Sequence, residues 1–200
     1  KKLSEGGEYK DFYLNRLTMI YNVSGVIYRG FGNYPEALRN YKKAPRLLEK
    51  VDNKTVYAST LFNIGKLYRI QGDYNESIKY YNQSLELRKR ILDSMGLINC
   101  YREIGLILND QNDHKLALES FEKGIEIARS YNNIPKLLEV CTKQAELYLA
   151  KGDYQLVKDS LDAVIPILRK DPIRFAEEYG DVAIIYAKAL YATGKVQQGI

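Results

Sequence analysis

Apolar positions along this chain recur in steps of three and four residues, and short polar joints break the pattern at regular intervals. After Gly72-Asp73, the residues Tyr74, Ser77, Ile78, Tyr81, Ser84 and Leu85 fall on one face of a helix. Before that joint, Leu61, Ile64, Gly65 and Tyr68 make another such face. The two segments read as a helical hairpin, and the hairpin returns. "GNY" ends at Tyr34, "GDY" at Tyr74, "NDH" at His114 and "GDY" again at Tyr154, a spacing of 40 residues. A period of this length marks a repeat architecture.

The turn follows from its residue types. Glycine just past a helix adopts the left-handed conformation that ends it at little cost. Asp or Asn then caps the next helix by accepting from its first free N–H groups. Asn33 and Asp73 are followed three residues on by Glu36 and Glu76, a capping-box pattern, and Pro35 suits a first helical turn. First helices are expected at 12–31, 54–71, 95–111, 134–151 and 172–193. Second helices are expected at 34–51, 74–92, 113–131 and 154–169. This gives one array over 1–200, with units at about 12–51, 54–92, 95–131 and 134–169, and a partial unit at 172–200.

Within the units, small and large stations alternate. First helices carry Gly25, Gly65, Gly105 and Ala145, then Tyr28, Tyr68, Leu108 and Tyr148. Second helices carry Ala37, Ser77, Ala117 and Val157, then Tyr41, Tyr81, Phe121 and Leu161, then Ala44, Ser84, Gly124 and Val164. Glycine inside a helix costs about 1 kcal/mol against alanine, so three at one station require close approach of a partner ring. Pro45 and Pro166 fall inside second helices, where each removes a backbone hydrogen bond and is expected to bend its helix slightly.

These stations resemble the tetratricopeptide repeat, with its small residue, aromatic, Gly-x-Tyr turn, alanine, aromatic and alanine in order. The 40-residue unit is similar to the long-helix subclass of kinesin light chains, polarity adaptors and peptide-sensing bacterial regulators. The resemblance covers roughly residues 12–194. It implies an all-α fold, a right-handed superhelical solenoid of antiparallel helix pairs whose first helices line a concave groove. It also implies a non-enzymatic scaffold that binds a protein or peptide there.

Composition narrows the alternatives. A hydrophobic content of 46% with 28% charged residues is that of a folded chain, and no apolar run reaches membrane-span length. The start at Lys1-Lys2 without Met suggests a piece of a longer protein. The segment is expected to be cytoplasmic, from a parent that could be membrane-anchored. Two cysteines, Cys100 and Cys141, are too few for a disulfide framework or a zinc site. One histidine, at a Tyr station, offers no triad and no metal pair. No cofactor, no metal and no enzyme activity are expected. The net charge of +5 demands no nucleic acid, and Lys89, Arg129 and Arg169 recur at helix ends, where cations complement the helix dipole.

Groove residues follow from the stations beside the packing positions. Those expected to face a peptide are Asn22, Arg29, Phe62, Asn63, Lys66, Arg69, Asn99, Arg102, Asn109 and Lys143. By the resemblance, Asn63 falls where the long-repeat subclass carries an asparagine that bonds a peptide backbone; Val23, Glu103 and Lys143 hold that station elsewhere. Lys66, Arg69 and Arg102 suggest an acidic ligand. A regulatory segment of a larger bacterial signalling protein is the alternative reading, and self-association through the incomplete last unit is a further option. RNA binding is disfavoured, because no base-reading pair recurs in each repeat.

Overall fold

The computed structural model describes residues 2–48, 53–171 and 173–194, with side chains of 2–8, 45–48 and 177–179 left out of the description. Ten helices account for nearly all of the described residues, and no strand occurs among them. They are α1 (Lys2–Gly30), α2 (Tyr34–Leu48), α3 (Lys54–Ile70), α4 (Tyr74–Arg90), α5 (Ser94–Asp110), α6 (His114–Ser130), α7 (Ile134–Lys151), α8 (Tyr154–Asp162), α9 (Ile165–Lys170) and α10 (Ala176–Ala192). The chain forms two compact units, 1–103 and 104–200, whose boundary falls inside α5.

The 40-residue joint works as its residue types dictate. Gly32, Gly72, Gly152 and Gly194 take φ of 73°, 78°, 77° and 71°, and Asn112 takes the third turn at 63°. After the second and third of these turns the next residue caps: Asp73 Oδ1 accepts from the Glu76 amide at 3.2 Å and Asp113 Oδ1 from the Leu116 amide at 3.2 Å, whereas Asp153 makes no side-chain cap hydrogen bond. The expected capping boxes are only half formed. Asn33 accepts from the Glu36 amide at 3.3 Å, but the Glu36 and Glu76 carboxylates turn outward to Arg39 and Lys79. The N–H groups of Asn33 and Asp73 already donate to the Tyr28 and Tyr68 carbonyls at 2.9 and 3.0 Å, so the two glutamates have no free cap N–H to accept from.

Packing in each unit rests on the small and large stations. In unit 1, α1 pairs with α2 and α3 with α4. A Cβ at Gly65 would stand 2.9 Å from the Tyr81 ring and 3.2 Å from the Ser77 carbonyl oxygen. Tyr41 lies over Gly25 in the same way. In unit 2, Phe121 covers Gly105. Tyr41, Tyr81, Phe121 and Leu161 are fully buried, as are Ala37, Ser77, Ala117 and Val157 beside them. Ser77 and Ser84 satisfy themselves on carbonyls of the facing helix, Gly65 at 2.7 Å and Ala58 at 2.8 Å.

Three boundaries differ from expectation. The first helix begins at Lys2, ten residues earlier than the repeat register marks, because residues before 12 carry no recurring station. α10 starts at Ala176 rather than 172, and Pro172 lies outside the described residues. The second helix of the fourth unit is not bent but broken: α8 ends at Asp162, and Pro166 stands in the first turn of α9. Asp162 is four residues before that proline, where its ring clashes with a helical carbonyl. At Pro45, by contrast, α2 runs through to Leu48.

The basic run at the end of α4 also divides. Lys89 and Arg90 are exposed, but Arg88 is buried, donates to Ser84 Oγ at 3.0 Å, pairs with Asp93 and lies over the Phe62 ring. It is an interior residue of the α4–α5 joint.

Candidate functional site

In unit 1 the first helices α1 and α3 lie side by side, and the expected groove residues sit on them and on the start of α5. Asn22, Arg29, Phe62, Asn63, Lys66, Arg69, Asn99 and Arg102 are all half-buried.

Two polar links tie these helices together. Asn63 Nδ2 donates to Asn22 Oδ1 at 3.1 Å, from α3 to α1. Glu103 on α5 is buried, and both of its oxygens are used. Oε2 accepts from Arg69 Nη1 at 3.0 Å and Oε1 from Arg102 Nη2 at 2.6 Å. Two of the three cations expected to attract an acidic ligand therefore already answer a carboxylate of the protein. Lys66 stands one turn before Arg69 and completes the basic stretch. Phe62 turns partly inward, its ring tilted on Tyr81 with centroids 5.2 Å apart.

Arg29 differs from Arg69. Its Nη1 is buried and has no hydrogen-bond partner among the described residues, and the same is true of the Tyr41 hydroxyl beside it. Burial raises the Tyr41 phenol above its ordinary pKa, and the neighbouring Arg29 charge pulls the other way. Tyr81 is raised further, by burial first and by the Glu103 carboxylate second, with Arg69 opposing. Each tyrosine thus has its own arginine, 12 residues earlier in the chain.

Unit 2 carries the other two expected residues. Asn109 Oδ1 lies 3.1 Å from His114 Nδ1, and Lys143 Nζ donates to both oxygens of Glu146 at 2.9 Å. Lys143 and Glu146 line a cleft of about 520 Å³ with Asp181, Ile184 and Lys188 of α10. The α10 residues escaped the sequence reading because the last unit is shifted out of the 40-residue register. The closing role of Glu103 is readable in retrospect: Arg69 to Glu103 spans 34 residues, as Arg29 to Asn63 does.

Reactive chemistry is sparse. No cluster of three or more His, Cys, Asp or Glu side chains that could hold a metal occurs among the described residues. Cys100 and Cys141 are free and buried, and burial pushes both thiols up to about 11. No helix among the described residues is long and apolar enough to cross a membrane.

The tetratricopeptide repeat family model matches residues 16–90 and again 57–130. The chain belongs to the tetratricopeptide repeat family. A search of curated proteins found no match. Among solved structures, the nearly identical TPR-like repeats of a Podosopora anserina kinesin light chain superpose with a TM-score of 0.74 at 18% identity, over 93% of this chain and 90% of that one. Aspartyl phosphate phosphatase F from Bacillus subtilis matches with a TM-score of 0.74 at 15% identity, over 98% of this chain and 55% of that one. The Rap conjugation gene regulator of plasmid pLS20, solved in complex with a Phr peptide, matches with a TM-score of 0.64 at 18% identity, over 90% of this chain. This chain spans 50% of that regulator's length. At these identities the likeness is one of fold.

Proposed function

We propose that this chain is a non-enzymatic scaffold that holds an extended protein or peptide segment along the face of its first helices. The observation that carries the reading is the Asn22–Asn63 pair, half-buried on neighbouring first helices and flanked by Lys66, Asn99 and Arg29. A side-chain amide has two donors and an acceptor with two lone pairs, so one mutual hydrogen bond leaves capacity for a peptide's N–H and C=O groups. The half-buried setting strengthens such bonds relative to open water. The fold likeness to a regulator solved with a peptide supports the same mode. A regulatory segment of a larger signalling protein is the second reading, favoured by that likeness and by the one to phosphatase F. Self-association through the last unit belongs to the same set of proposals.

A peptide library displayed on phage and selected against the chain supplies ligands. Calorimetric titration of the selected peptides then compares wild type with Asn22→Ala/Asn63→Ala. Loss of two or three backbone hydrogen bonds at about 1 kcal/mol each corresponds to at least tenfold weaker binding. Peptides that bind the double variant as tightly as wild type would overturn the reading.

A further inference from the structure

Helix α1 is apolar on two opposite faces, and only one of them is covered. Thr18 and Gly25 are buried, the glycine under the Tyr41 ring of α2. The other face carries Tyr9, Phe12 and Tyr13, which are 77%, 60% and 66% exposed, and then Ile20, Val23 and Ile27 at 58%, 55% and 52%. Phe31, in the turn that follows, is 83% exposed. Helical spacing aligns these side chains in one stripe. Arg16 falls within it and lies over the Phe12 ring, 5.1 Å from the centroid. A helix that is apolar all round belongs in an interior, and the outer face of a terminal repeat in contact with water is normally polar.

The repeat register shows what this face does elsewhere. The stations of Ile20 and Ile27 recur as Thr60 and Leu67 on α3 and as Val140 and Leu147 on α7, and all four are buried. Leu67 belongs to one core cluster with Ala37 and Tyr41 of α2, the second helix before it. On α1 the same stations are bare. The stripe is also longer than a second helix can cover. From Tyr9 to Phe31 it runs about 33 Å, against about 25 Å for a helix of 17 residues such as α4. A second α1, with 29 residues, spans it from end to end. The exposed aromatic and aliphatic groups amount to on the order of 800 Å², as much as each partner buries in a stable interface.

We propose that the exposed face of α1 is the contact between two copies of this chain, packed antiparallel about a two-fold axis at Ile20. In such an isologous contact, if one residue meets another, the reverse pair forms as well. An axis at Ile20 sets Tyr13 against Ile27 of the second copy and Tyr9 against Phe31, because both pairs are centred on position 20. The aromatic ends then cover each other, and the aliphatic middle meets itself. Asn22 and Arg29 fall outside the stripe, so the contact is independent of the peptide reading.

Analytical ultracentrifugation of the whole chain over a concentration series reads the association. Wild type is expected to sediment as a dimer. Ile20→Lys/Ile27→Lys is expected to associate about a hundredfold more weakly, since each change acts twice across the axis. Both positions are exposed in the single chain, so circular dichroism should show unchanged helical content, and Val23→Lys replaces the double variant where it does not. Tyr191→Lys, at the exposed end of α10, is expected to keep the dimer. Ile20→Cys is expected to link to its own copy under copper-phenanthroline oxidation, with wild type as the blank because Cys100 and Cys141 are buried. A dimer that survives the lysine variant, or is lost with Tyr191→Lys, overturns the α1 contact, and an Ile20→Cys chain that stays unlinked overturns the axis. A wild type that is monomeric at its highest soluble concentration overturns the proposal outright. If that monomer then takes up a synthetic α4 peptide, Tyr74–Arg90, on its α1 face, the occupant is a second helix of repeat type instead.

Discussion

The hairpins α1–α2 and α3–α4 share a register, a packing crossing and a turn, yet their groove sides are finished differently. In both, a tyrosine ring fills the space over a glycine, and an arginine follows four residues later on the first helix. In the second hairpin, Arg69 donates to Glu103; in the first, Asn63 stands at the place of Glu103 and donates to Asn22 instead. Repetition therefore governs the core, while the groove is individual. A fold of this kind holds its shape with a few interchangeable stations and is free to vary the residues beside them.

The largest effect expected from breaking the contrast is at Glu103. Glu103→Ala removes the carboxylate shared by Arg69 and Arg102 and leaves two part-buried cations facing each other. We expect a loss of about 3 kcal/mol in urea unfolding. A loss below 1 kcal/mol would mean that water serves the arginines as well as Glu103 does. Gly65→Leu comes next. It forces a side chain into the Tyr81 ring and is expected to cost about 1–3 kcal/mol, and an unchanged Tm would show that the crossing is not tight.

A gain is expected at Leu92. This leucine holds φ 56° at the α4–α5 joint, where the α6–α7 joint has Asn132 at φ 50°. Leucine pays about 1–2 kcal/mol in the left-handed region, and asparagine pays less. Leu92→Asn is expected to stabilise by about 1 kcal/mol in the same denaturation assay. No gain would mean that the exposed leucine repays its strain through a contact made elsewhere.

The smallest expected effect is one of pH. Burial raises the Cys100 and Cys141 thiols to about 11, above the value of about 8.5 in an unfolded chain. A raised folded pKa contributes nothing adverse below the unfolded value. Between about pH 8.5 and 11 the unfolded thiols ionise while the folded ones do not, so stability falls as pH rises through that window. Cys100→Ala/Cys141→Ala should flatten part of the decline in Tm, and a curve identical to wild type would show that the thiols are not its source.

The core was legible because its cause is local and repeated. Gly25, Gly65 and Gly105 could be placed against rings by spacing alone, and the turn glycines by the asparagine or aspartate that follows. What escaped the reading has a cause outside the repeat. Nothing recurrent in residues 2–11 announces that α1 extends through them. The break before Pro166 depends on whether a particular helix can absorb a missing N–H, and Pro45 shows that a neighbour can. Arg88 read as part of a basic helix end, and only its approach to Asp93 and Phe62 takes it inside. In the groove, residue types were readable but their pairings were not. Arg69 and Arg102 read as cations offered to a ligand, and the partner that engages them lies 34 residues from the first and next to the second.

The most direct test of the groove account is where a bound peptide registers on the protein. Asn22 and Asn63 face one another across the first helices, whereas Asn75 and Asn82 are exposed on α4, a second helix. In a sample labelled with nitrogen-15 at asparagine, titration with a library-selected peptide is followed through the side-chain amide signals. The account predicts that the Asn22 and Asn63 amides shift in proportion to occupancy, while those of Asn75 and Asn82 stay in place. Shifts at Asn75 or Asn82 with Asn22 and Asn63 unmoved would contradict it and put the binding surface on the second helices.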